Sequence, residues 1–201
     1  MNHTQQLEQL IKLQNLISNF AQIRRTVFHK NGAAENDVEH SYTLALAAWL
    51  LSRNHDDLDT DKCIKYALVH DLPEILAGDT DIYDQSDFQQ SKQSREMNAI
   101  IKLEIDYPEL TDLIDVIKKY EMRVDRESKF VYCLDKLTPI ILNLTANGLG
   151  WQRHEPRITL DQLRSAKDKK IALDPNVEKI YLELIKILEK RPELFENGEK
   201  K

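Results

Sequence analysis

The chain has 201 residues, 28 basic and 34 acidic, for a net charge of -6. That balance excludes broad, salt-driven binding to a nucleic-acid polymer, which needs a basic face. Hydrophobic residues make up 41%, charged residues 31%, and glycines number only 5, so composition points to one globular domain, helical rather than rich in tight turns.

Residues 4 to 23 read as a helix, with Leu7, Leu10, Leu13, Leu16, Ile17 and Phe20 mostly three or four apart. Arg24 and Arg25 follow, then a loop through Asn31 and Gly32. A second helix starts at Asn36 or Asp37, with a stripe of Val38, Tyr42, Ala45 and Trp49, and stops in the polar stretch from Asn54 to Asp57. Thr60 or Asp61 can cap a third, with Ile64, Ala67, Leu68 and Leu72 inward, ending at Gly78. Pro73 kinks or breaks it, because proline lacks an amide donor and clashes with the preceding turn.

Residues 80 to 92 are polar and read as a loop. Helical patterns then cover 93 to 105, 109 to 121 and 126 to 147, the last bent by Pro139 and closed by Gly148 and Gly150. Two amphipathic helices complete the chain, 159 to 170 and 175 to 191, the latter with Val177, Tyr181, Leu184 and Leu188 inward. No strand alternation, fixed-period repeat or phosphate-cradling glycine loop is evident. The expectation is an all-α bundle of about eight helices: a domain over 1–150 and a helical extension over 151–201 packed on it. Cys63 and Cys133 lie in apolar runs and read as reduced core thiols. No secretory signal or membrane span is evident, so a cytoplasmic protein is expected.

The informative residues are polar ones on faces that should be apolar. His40 shares a stripe with Leu44, Ala47 and Leu51. His70 and Asp71 are adjacent inside an oily helix, Asp71 in line with Ile64 and Leu68. Asp135 shares a stripe with Val131, Thr138 and Leu142. A carboxylate buried alone on such a face is costly. Two histidines and two aspartates from three helices can compensate one another by sharing a divalent cation. Taken singly, His40 also reads as a hydrogen-bonded core histidine, and Asp135 as the partner of Lys136 or Arg126.

The order His40, His70-Asp71, Asp135 resembles the HD-domain metal-dependent phosphohydrolases. The strings at 35–41, 68–79 and 130–137 are similar to its 5'-deoxynucleotidase branch, over roughly residues 7 to 147. The resemblance implies an HD helical bundle and a metal-dependent phosphomonoesterase acting on nucleoside 5'-monophosphates. It implies His40, His70, Asp71 and Asp135 as ligands of one divalent ion, which could be Mn, Co, Fe, Ni or Mg. Dinuclear members use extra histidines between the HD pair and the last aspartate, and none stands between 72 and 134 here.

The same resemblance makes Glu74 the general base or water-positioning group, Asp79 a second acid near the substrate, and Arg25 a phosphate-binding residue. Arg24 competes for that last role, and both arginines also read as solvated ends of a helix. The branch carries a tryptophan directly after the arginine. Here the position is Thr26, and Trp49 and Trp151 are not obvious substitutes. Two alternatives stand beside this reading: a nucleotide pyrophosphohydrolase with the same metal core, and a non-catalytic helical module with a structural metal. A homodimer is an open expectation.

Overall fold

The computed structural model describes residues 2–83, 87 and 91–195. The expected loop at 80 to 92 lies partly outside the described residues. The elements are α1 (His3–Phe20), β1 (Arg24–Phe28), β2 (Ala34–Asn36), α2 (Asp37–Ser52), α3 (Thr60–Val69) and α4 (Glu74–Ala77). There follow α5 (Lys92–Asp106), α6 (Thr111–Met122), α7 (Arg126–Thr145), α8 (Leu149–Arg153), α9 (Leu160–Ile171) and α10 (Pro175–Glu189). Eight of these helices have ten residues or more, so the fold is the expected helical bundle.

Helix starts are set by side chains that satisfy the first orphan amides. Asn36 and Glu39 form a reciprocal capping box at α2, Asp59 caps α3, Asp125 caps α7, and Asp174 with Pro175 opens α10. The long helix α7 lies at the centre, packed on α2, α3, α6, α9 and α10. Its Val131, Leu134 and Leu137 join Leu44, Ala67, Leu163, Ile171 and Val177 in one core. A smaller cluster gathers Phe20, Leu72, Ile100 and Ile117. Val177, Tyr181, Leu184 and Leu188 of α10 all point inward, as their spacing predicts. Both cysteines are free and buried. Among the described residues, no helix is long and apolar enough to cross a membrane.

Four expectations are corrected. Residues 24 to 36 hold an antiparallel hairpin, β1 with β2, rather than a loop. The strands have 5 and 3 residues, too short to display an alternation in sequence. In α2, Tyr42 and Trp49 are exposed, while Ser41, Leu44, Ala45 and Ala48 face the core. Small residues on that face permit a close approach of α3. In α1, Leu7 and Leu10 are exposed and only the C-terminal turns, at Leu16 and Phe20, are buried. Finally, Leu68 of α3 is exposed. As for the two prolines, Pro73 ends the helix: α3 stops at Val69, a turn follows, and α4 begins at Glu74. Pro139 lies within α7, which runs unbroken to Thr145.

Candidate metal centre

Three elements bring the chemistry together. α2 presents His40, the turn after α3 presents His70 and Asp71, and the middle of α7 presents Asp135. Their donor atoms all lie within 4.8 Å of one another. His40 Nε2 is 3.0 Å from Asp135 Oδ1 and 3.8 Å from Asp71 Oδ2; His70 Nε2 is 3.0 Å from Asp71 Oδ2 and 3.7 Å from Asp135 Oδ1. His70 Nδ1 donates to the Ala67 carbonyl at 2.9 Å, which leaves Nε2 as the coordinating atom. That Nε2 is buried and makes no hydrogen bond. Two imidazoles and two carboxylates, converging with an orphaned nitrogen, suit a divalent transition ion or Mg.

The electrostatics explain why such a site asks for a cation. Burial and Arg25 push His40 down to about 4, so it is a neutral ligand. Burial opposes charge on His70 as well, but Asp71 and Asp135 outweigh it and raise the imidazole to about 10. The two carboxylates thus favour positive charge at this point, which a bound cation would supply. Asp135 also contacts Lys136, Nζ to Oδ2 at 2.5 Å. The pairing read from sequence and the cluster therefore coexist, one on each carboxylate oxygen.

Asp71 and Asp135 of this quartet line a cleft enclosing about 780 Å³, part of it open to solvent. Arg25, Glu74 and Asp79 all line it. Arg25 is half-buried: Nη1 donates to Asp37 Oδ1 at 3.2 Å and Asp71 Oδ2 at 3.0 Å, and Nε faces Glu35 at 3.3 Å. Arg24 is exposed and bonds the Ala21 carbonyl, so it is not the competitor for the site. The hairpin decides between them, because adjacent strand residues point to opposite faces. Asp37, Asp71 and Glu74 form a second group with ligand atoms within 4.8 Å, but the Arg25 guanidinium already bridges Asp37 and Asp71.

Glu74 keeps its place although the helix breaks at Pro73. It is buried; Oε1 accepts from Lys92 Nζ at 3.2 Å, while Oε2 has no hydrogen bond. Burial and Asp71 raise its carboxyl well above the usual range. Arg95 bonds Thr80 Oγ1 at 2.8 Å and the Ala77 carbonyl.

Sequence reasoning missed part of the cleft. Lys136 and Lys167 line it, as do Tyr83 and Trp151. Trp151 is far from Thr26 in the chain yet lines the same cleft. It stacks on Phe195, ring centroids 4.5 Å apart. For Lys167 a signal existed: it sits four residues from both Leu163 and Ile171, on the buried face of α9.

Residues 20–178 match the family model of the HD domain. The 5'-deoxynucleotidase HDDC2 of Mus musculus is 30% identical over 136 residues, 66% of this chain and 67% of that one. Its Homo sapiens counterpart is 29% identical over 136 residues, 66% of this chain and 65% of that one. The chain thus spans about two thirds of the length of these relatives. Among solved structures, a predicted metal-dependent phosphohydrolase from Magnetospirillum magnetotacticum superposes with a TM-score of 0.79 at 24% identity, covering 94% of this chain and 96% of that one. A conserved hypothetical protein from Pyrococcus furiosus gives 0.61 at 22%, covering 90% and 99%. At these identities the structural likeness establishes the fold alone.

Proposed function

Since the chain belongs to the HD-domain family, we propose that it is a metal-dependent phosphomonoesterase releasing phosphate from nucleoside 5'-monophosphates. The observation that carries this reading is the convergence of His40, His70, Asp71 and Asp135 at a cleft that also holds Arg25 and Glu74. Those four residues would hold one divalent ion, drawn from Mn, Co, Fe, Ni and Mg. When bound, such an ion polarises a phosphoryl oxygen and acidifies water.

The chain's own groups supply the rest. Arg25 is fixed by Glu35, Asp37 and Asp71 through Nε and Nη1. Its Nη2 makes no hydrogen bond among the described residues and is the donor left for a phosphate oxygen. Glu74 Oε2 orients the attacking water and takes its proton, while Lys92 holds the other oxygen. Asp79 stands near Arg25 and presents a second acid to the leaving side. Tyr83 and Trp151 offer an apolar wall to a nucleoside. With Thr26 in place of the branch's tryptophan, the deoxyribose preference of the named relatives need not carry over.

The test is phosphate release from a panel of ribo- and deoxyribonucleoside monophosphates with each of several divalent metals. Turnover that depends on added metal and disappears in His70→Ala supports the reading. A metal-loaded protein that hydrolyses no phosphomonoester sinks it. A second reading, pyrophosphohydrolysis of a nucleoside polyphosphate, draws on the extra cations Lys92, Lys136 and Lys167 at the cleft. Pyrophosphate rather than phosphate as product would favour it.

A further inference from the structure

We propose that Lys167, from the C-terminal part of the chain, anchors the phosphate group in the cleft together with Lys136. This rests on the phosphohydrolase reading above and adds a binding residue to it.

The starting point is a lysine where packing asks for an aliphatic side chain. Leu163, Lys167 and Ile171 follow one another at intervals of four on α9, and the two neighbours are fully buried. Lys167 itself is only 6% exposed. Lysine is almost never buried without a partner, because its ammonium loses its water shell. Its four-carbon stem can pack among apolar groups while the head reaches a polar space. The space it reaches is the cleft beside the metal quartet, which it lines.

The other cations of that cleft are matched with carboxylates. Arg25 holds Asp71, Lys92 holds Glu74, and Lys136 holds Asp135. Lys167 has no ion pair or hydrogen bond among the described residues. Burial first, and then Lys136, push its ammonium down to about 7. Two lysines lining one cleft, one of them buried with no carboxylate of its own, are an arrangement completed by an incoming anion. Each ammonium is a compact charge with three donors, suited to the oxygens of a phosphate group. α9 packs directly on α7, so the segment after residue 151 supplies part of the site and not a brace alone.

The experiment compares wild type, Lys167→Met and Lys167→Arg as full-length, Mn-loaded protein, with inorganic phosphate as the probe in calorimetry. Metal content and melting temperature are measured alongside. Met keeps the stem and removes the charge, so the variant should bind Mn as wild type does and melt no lower. Its phosphate affinity should fall roughly tenfold to a hundredfold, the loss of one charge-assisted contact. Lys167→Arg should recover part of it. Should Lys167→Met not fold, Lys167→Gln carries the same comparison. Phosphate affinity unchanged in the neutral variant overturns the assignment of Lys167 and leaves the proposed function standing. A wild type that binds Mn but neither binds phosphate nor hydrolyses a phosphomonoester overturns both.

Discussion

Two polar clusters join the α3 region to α7, ten residues apart along that helix, and they are built on opposite principles. At the N-terminus of α7, Asp125 accepts from the Ser128 amide at 2.8 Å and the Tyr66 hydroxyl at 2.7 Å. Lys62 reaches Glu127 at 3.0 Å and Asp125 at 3.1 Å, and Glu127 also accepts from the Asp59 amide at 3.2 Å. No buried polar atom of this cluster lacks a partner. Around Asp135 the opposite holds: His70 Nε2, Glu74 Oε2, Asp37 Oδ2 and Glu35 Oε2 are buried without hydrogen bonds. Burial raises the carboxyls of Glu35 and Asp37 to about 7. A satisfied network holds helices together, whereas an unsatisfied one costs stability and persists because a ligand completes it.

This contrast can be broken most directly by activity. Asp71→Ala or His70→Ala should reduce metal-dependent phosphate release by about a thousandfold or more, since the ion supplies several kcal/mol of barrier lowering. Asp125→Ala should leave turnover within roughly twofold. Loss of activity in Asp125→Ala at full occupancy of metal would erase the distinction.

The next effect is on melting. An ion at about a hundredfold over its dissociation constant adds about 2.7 kcal/mol, or roughly 5–10 °C for a chain of this size. Calorimetric scans with and without Mn or Co should show that rise in wild type and in Asp125→Ala, and none in Asp135→Ala.

A smaller effect separates the clusters from the other side. Asp125→Ala removes an N-cap and should cost about 1 kcal/mol in urea unfolding of the metal-free protein, as caps generally do. The smallest is in its pH dependence. Burial works against the Asp125 charge, but bonds from Tyr66, Ser128 and Lys62 outweigh it and hold the carboxyl down to about 2. A carboxyl depressed in the folded state stabilises above its unfolded value of about 3.9, and that contribution is lost as pH falls through about 2. Urea midpoints should therefore differ between wild type and Asp125→Ala at pH 5 and converge near pH 2. A constant difference across that range would show that the carboxylate charge is not what the cap contributes.

The helices were legible because their signals are local. Apolar spacing, caps such as Asp59 and Asp125, and Gly148 beyond the end of α7 act within a few residues. The quartet was legible for a related reason: a polar residue on an apolar stripe is conspicuous without knowing its neighbours. Asp79 and Arg25 entered by resemblance, and the cleft holds both, Arg25 through a hairpin that the chain conceals in two very short strands.

What one helix cannot reveal is which face another helix will cover. Tyr42 and Trp49 look inward by spacing, yet the small residues of α2 admit α3 on another side. Trp151 and Lys167 lie far from Thr26 and Asp71 in sequence, and only the docking of α8 and α9 onto β1 and α7 places them in the cleft. Sequence alone determined the helices and the ligand types, because periodicity and desolvation act on each segment separately. Tertiary packing decided the cleft, because its walls are joined across long chain separations that no local pattern encodes.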